Sequence, residues 1–153
     1  LSGELTMSRQ MMYFPGGFAS ISPNLNRILY LTRFGAPEAN MRSINISNID
    51  GTGEIVHASG NIQQIPVWSK DNSKFYYYDQ DLGAFIGQEG AAPQPLPDFN
   101  SAYTVQWIDD NRFIGAVGPA GGWKLLLGTV DGPTGVIYST PISSGTMNFT
   151  LNR

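Results

Sequence analysis

The 153-residue chain has no cysteine and a single histidine, His57. The first absence removes disulfides, thiolate metal sites and cysteine nucleophiles together. The second leaves a zinc site mostly carboxylates to draw on, and gives a Ser-His-Asp arrangement one place to stand with no Gly-x-Ser-x-Gly elbow to present the serine. His57 then reads as a surface or edge residue near the end of a strand. Charge is also scarce. Charged residues make up 14% of the chain, only three of the nine basic residues are lysine, and the net charge is -3, so there is no electrostatic footprint for a phosphate backbone and nucleic acid is not an expected partner. No apolar run approaches the roughly 18 to 20 residues that span a bilayer, and no charged segment followed by an apolar one opens the chain. A first residue of Leu1 rather than Met is read as a processed, trimmed or partial chain.

What is abundant points the other way. With 41% hydrophobic and 12% aromatic residues, 18 Gly and 10 Pro, the composition suits short strands joined by tight turns rather than helices. Three segments then repeat one plan of strand end, polar turn, basic residue and second strand. They are Ser20-Ile21-Ser22-Pro23-Asn24-Leu25-Asn26-Arg27-Ile28-Leu29-Tyr30, Val67-Trp68-Ser69-Lys70-Asp71-Asn72-Ser73-Lys74-Phe75-Tyr76-Tyr77 and Gln106-Trp107-Ile108-Asp109-Asp110-Asn111-Arg112-Phe113-Ile114. Their basic residues Arg27, Lys74 and Arg112 stand 47 and 38 residues apart, a period that signals stacked supersecondary units.

Continuing each copy predicts four-stranded meanders with strands A to D. In the first, A covers 18–22, B 27–33, C 41–48 and D 53–58, with Asp50-Gly51 turning C into D. In the second, A covers 64–69, B 74–79 and C 82–88, while Ala92 to Asp98 carries three prolines and is confined to an edge strand or irregular cover. In the third, A covers 103–108, B 112–117, C 123–130 and D 135–140, with Asp131-Gly132 repeating the turn. Gly3 to Met7 and Gln10 to Phe14 are expected as the last two strands of a preceding unit, and Thr146 to Leu151 as the first strand of a following one. The expected division is 1–17, 18–59, 60–100, 101–141 and 142–153, all within one domain.

At this point the segment Ile65-Pro66-Val67-Trp68-Ser69-Lys70-Asp71-Asn72-Ser73-Lys74-Phe75 resembles the PxWSPDGxxIAF repeat of TolB-like β-propellers, the WD40-like PD40 repeat. Asn45 to Gly53 resembles the outer hairpin of the same repeat. The turn glycine of that pattern is replaced by Leu25, Asn72 and Asn111; Asn holds the left-handed conformation well, whereas Leu25 is not expected to. The resemblance implies an all-β propeller of four-stranded blades stacked around a channel lined by the A strands. Trp68 and Trp107 are then inter-blade packing residues, and Tyr76 and Tyr78 face one neighbour while Tyr77 faces the other. It further implies a non-catalytic protein-binding or scaffold segment, placed outside the cytoplasm, periplasmic or secreted. Three meanders fall short of the about four to eight blades that close a ring, so the rest of the same polypeptide, or a homo-oligomer, is expected to complete it. Two other implications stand beside this one: an accessory, gating propeller of a prolyl-oligopeptidase-like hydrolase, or a glycan-binding propeller.

The remaining motifs are explained by turns. Asp79-Gln80-Asp81-Leu82-Gly83 begins like a calcium loop but lacks the later carboxylates, so it reads as hairpin chemistry. Gly51-Thr52-Gly53 has no third glycine and no following helix. The adjacent carboxylates Asp109 and Asp110 point different ways and read as solvated. The sequons at Asn45 and Asn148 read as chance matches. No catalytic, cofactor or metal residue is assigned. Partner-binding residues are expected where loops gather on a rigid scaffold: Arg33, Phe34, Asp79 and Asp81 between B and C strands, and Asn61 and Asn100 between D and A strands.

Overall fold

In the computed structural model the described residues are 19–35, 40–100, 102–118 and 122–141. The strands expected at Gly3–Met7, Gln10–Phe14 and Thr146–Leu151, the Asn148 sequon and the centre of the Gly118–Gly122 connection lie outside them. The described chain forms twelve strands in three four-stranded antiparallel sheets. The first holds β1 (Ala19–Ile21), β2 (Arg27–Arg33), β3 (Arg42–Asn48) and β4 (Ile55–Gly60). The second holds β5 (Val67–Trp68), β6 (Lys74–Asp79), β7 (Gly83–Gln88) and β8 (Gln94–Pro95). The third holds β9 (Ala102–Trp107), β10 (Arg112–Val117), β11 (Trp123–Thr129) and β12 (Gly135–Thr140). Each is a meander in chain order, as the repeat predicts.

The sheets pack face to face, and the middle one is buried on both sides. Phe75 and Tyr77 of β6 join Leu29, Ile44 and Ile46 of the first sheet in one cluster. Tyr76, Ala84 and Ile86 join Val105, Trp107, Phe113 and Leu126 of the third in another, with Tyr78 packed against it. Alternation along one strand thus serves two seams, which is why β6 has no polar face. The tryptophans tie the inner strands: the Trp68 indole donates 2.9 Å to the Ser20 carbonyl, and the Trp107 indole donates 2.9 Å to the Val67 carbonyl. Both bonds run to the inner strand of the preceding sheet, and a buried indole N–H needs such an acceptor. Ile21 holds the equivalent place in the first sheet, half exposed.

Several details depart from expectation. The predicted A strand at 64–69 shrinks to Val67–Trp68, because Pro66 has no N–H to donate; upstream of it only Ile62 makes an isolated bridge, to Asp79. The Pro-rich segment gives the two-residue edge β8 and then a 3-10 turn at Pro97–Phe99. That turn buries Phe99 4.9 Å from Phe113, over Gly115 and Gly128, where any Cβ would crowd its ring. Leu25, contrary to its chemistry, takes φ 62 beside Asn72 at φ 66, while Asn111 is not among the positive-φ residues. A left-handed Leu costs about 1–2 kcal/mol, and the rigid turn bonds Leu25 N–H to Ser22 O and Arg27 N–H to Ser22 Oγ hold it there. Asn45, buried in β3, donates its amide to Thr32 Oγ1 and the Ser43 carbonyl, so the first sequon is closed to modification in the fold. His57 is not a surface residue: it is half-buried between the first two sheets.

Candidate functional site

An up-down meander sends its A-to-B and C-to-D turns to one end and its B-to-C and D-to-A connections to the other. The first end carries turn bonds and contacts that join the first two sheets. The Asn24 N–H donates to Asn72 Oδ1 across 2.8 Å, and Arg27 donates to Asn48 Oδ1 and pairs with Glu89 of the next sheet. Asp71 is partly buried, which alone would raise its pKa, but hydrogen bonds from the Ser69 and Ser73 hydroxyls and the charge of Lys74 bring it below the ordinary carboxylate value. Asp109 is not simply solvated: hydrogen bonds from the Arg112 guanidinium, then from the turn amides of Asn111 and Arg112, hold its pKa at about 2.

The second end carries all six expected binding residues and brings four of them into one polar cluster. The Asn61 amide donates to Asp81 Oδ1 at 3.3 Å, and the Gln80 N–H donates to the Asn61 carbonyl at 3.0 Å. Asp79 Oδ1 accepts the N–H groups of Asp81 and Leu82, a side-chain cap on the β6–β7 turn. The Asn100 side chain accepts the Ala84 N–H at 2.9 Å and lies over Gly83, whose φ of 102 and lack of Cβ both permit it. Asp79 is only 3% exposed, covering Gly60, so it shapes the loop and offers no surface to a partner.

Two residues outside the expected set complete the cluster. Arg42 Nη1 donates to Gln63 Oε1 at 2.8 Å and to the Ile62 carbonyl, and Gln63 Nε2 donates to Asn61 Oδ1 at 2.8 Å and to the Asn40 carbonyl. A chain of side chains thus runs Arg42, Gln63, Asn61, Asp81 from the first sheet to the second. Its signal in the sequence was the basic residue at the start of strand C, which pairs directly with Arg33. Arg33 and Phe34 stand beside the cluster rather than within its hydrogen-bond chain, exposed at the rim, with Phe34 41% accessible. The arrangement holds fixed amides, the exposed carboxylate of Asp81, the guanidiniums of Arg33 and Arg42 and an aromatic ring. Among the described residues no three His, Cys, Asp or Glu gather where a metal ion would sit.

The sheets place the chain among β-propellers. Of solved structures, it is similar to the β-propeller domain of the trilobed protease from Pyrococcus furiosus, a propeller of open velcro topology, with a TM-score of 0.59 and 14% identity over 80% of this chain and 43% of that one. It is also similar to the apo form of the AtxE2 isopeptidase, with a TM-score of 0.56 and 22% identity over 67% of this chain and 20% of that one. The chain therefore spans less than half the length of either. No protein-family model and no curated protein matches the sequence. The fold is a β-propeller segment, and its sheets are blades.

Proposed function

We propose that this chain is a non-catalytic propeller segment that grips a protein partner with its B-to-C end, in the manner of TolB-like propellers and outside the cytoplasm. The observation that carries the reading is the make-up of the B-to-C end: Arg33, Phe34 and Asp81 are exposed there, beside a base pre-ordered by the bonds of Arg42, Gln63 and Asn61. Rigid positioning lowers the entropy lost on binding, and an exposed aromatic beside a guanidinium is the composition that binding hot spots favour. The rest of the polypeptide completes the ring. Photo-crosslinkers at Phe34 and, as the control end, at Asp110 test the reading: a partner captured at Phe34 and not at Asp110 supports it, and equal capture at both overturns it.

A second reading is favoured by the two solved structures, which belong by name to a protease and an isopeptidase. On this second reading the chain is an accessory propeller whose catalytic groups would lie in another domain. A hydrolase segment with Gly-x-Ser-x-Gly encoded in the same gene is the expected companion, and an open reading frame with no such domain removes it.

A further inference from the structure

Between Ile44 and Asn45 the pairing of β3 with β4 slips, so that Ile44 lies opposite Ala58 and Asn45 opposite Val56. His57 is the residue left over, and a bulge of this kind re-aims the side chain it frees. The ring enters the seam with the second blade, centred 4.9 Å from Phe75 and 5.9 Å from Tyr77, edge-to-face with both. Its Nε2 is buried and has no hydrogen-bond partner. Gly87 makes the room, since a Cβ there would stand 2.7 Å from Nε2 and overlap the Phe75 ring.

We propose that His57 is an acid-responsive latch on the seam between the first two blades: neutral, it packs as an aromatic, and protonated, it loosens the seam. An imidazolium in this place would have no acceptor for its Nε2–H, and burying an unpaired charge is costly. The groups around it offer no compensation. From β6 the facing titratable residue is Tyr77, whose hydroxyl burial and then the Asp79 charge push up, so it stays neutral. β7 contributes Gly87, β3 offers Ile44 and Asn45 opposite the bulge, and Val56 and Ala58 flank it on its own strand.

Burial holds the His57 pKa below its ordinary 6.5. The opened chain therefore takes up a proton that the closed seam refuses. Stability is full above the opened-state value of 6.5, falls as pH drops below it, and levels once the folded-state pKa is passed.

One histidine gives one imidazole Cε1–H resonance, so NMR titration of the whole chain between about pH 8 and about pH 5 isolates it. The expected midpoint lies below 6.5, and over the same range the protection factors of β4 and β6 amides, corrected for the intrinsic slowing of exchange in acid, fall about tenfold for each unit of pKa difference, while those of β10 and β11 do not follow. His57→Phe keeps an aromatic ring and removes the titration, and it should abolish the acid response. A midpoint at or above 6.5, equal loosening of β10, or an acid response retained in H57F overturns the proposal. If H57F does not fold, the wild-type titration still decides.

Discussion

β4 and β12 are the same strand in two blades, and they meet opposite fates. Each is the outermost strand of its sheet, and each carries one extra residue at the same point: His57 between Val56 and Ala58, and Ile137 between Val136 and Tyr138. In β4 the extra residue is half-buried against Phe75 and Tyr77 of the next blade. In β12 the extra residue is 53% exposed, between Val136 at 61% and Tyr138 at 54%. The bulge therefore belongs to the repeat, whereas burial belongs to the neighbour that follows. A polar residue sits in the covered seam and an apolar one on the open strand, the reverse of what burial alone would select. The apolar stretch of β12 is open where β4 is covered, and the half-buried histidine is the residue whose charge state matters.

Truncation breaks this comparison most directly. Phe75→Ala removes a ring with no exposed surface from the first seam and should cost about 3–5 kcal/mol in urea unfolding. Tyr138→Ala on β12 should stay within about 0.5 kcal/mol. Equal losses would mean that β12 is as covered as β4. Gly87→Ala comes next, at about 1–3 kcal/mol, because the added methyl meets Phe75 and His57 at once. His57→Ala in the same chain should return part of that loss, since the Phe75 clash remains, and a double-mutant cycle measures the share. Trp68→Phe and Trp107→Phe should each cost about 1 kcal/mol, the net worth of one buried hydrogen bond. Near-equal values would show the indole bonds to Ser20 and Val67 to be one repeated device.

Much of this architecture was legible in the sequence, for a physical reason. Turn residues and β-period alternation act locally, so Arg27, Lys74 and Arg112 each mark the start of a B strand, and the three copies reinforce one another. The two-sided burial of Tyr76, Tyr77 and Tyr78 followed from the same alternation. What stayed hidden depends on tertiary contact. A bulge shifts pairing by one residue without any special residue type, so the edge strand of His57 was legible but its burial against Phe75 and Tyr77 was not. Phe99 looked like loop because its pocket is made by two glycines of another blade, Gly115 and Gly128. At the B-to-C end, the loops were readable from topology, yet the burial of Asp79 was not, since an Asp that caps a turn and an exposed Asp share one sequence. Gln63 was missed because only its bonds to Arg42 and Asn61 give it a role.

The smallest expected effect sharpens the comparison furthest. Ile137→His puts into β12 the residue that β4 has at its bulge, with the same strand and the same register slip. On the open strand the imidazole keeps its water, so its pKa stays near the unperturbed value of about 6.5 and folded and unfolded chains bind the proton alike. Stability of the 153-residue chain should then change by no more than about 0.5 kcal/mol, with no acid dependence beyond that of His57. Extending the chain by a following blade should change the outcome. If that blade covers Ile137 as the second blade covers His57, the substituted histidine loses its water, and a second acid-dependent loss of stability appears below about pH 6.5. Thermal unfolding of both lengths at two pH values reads the difference. An acid response already present in the shorter chain would show that β12 is covered there too, and the two outer strands would no longer differ.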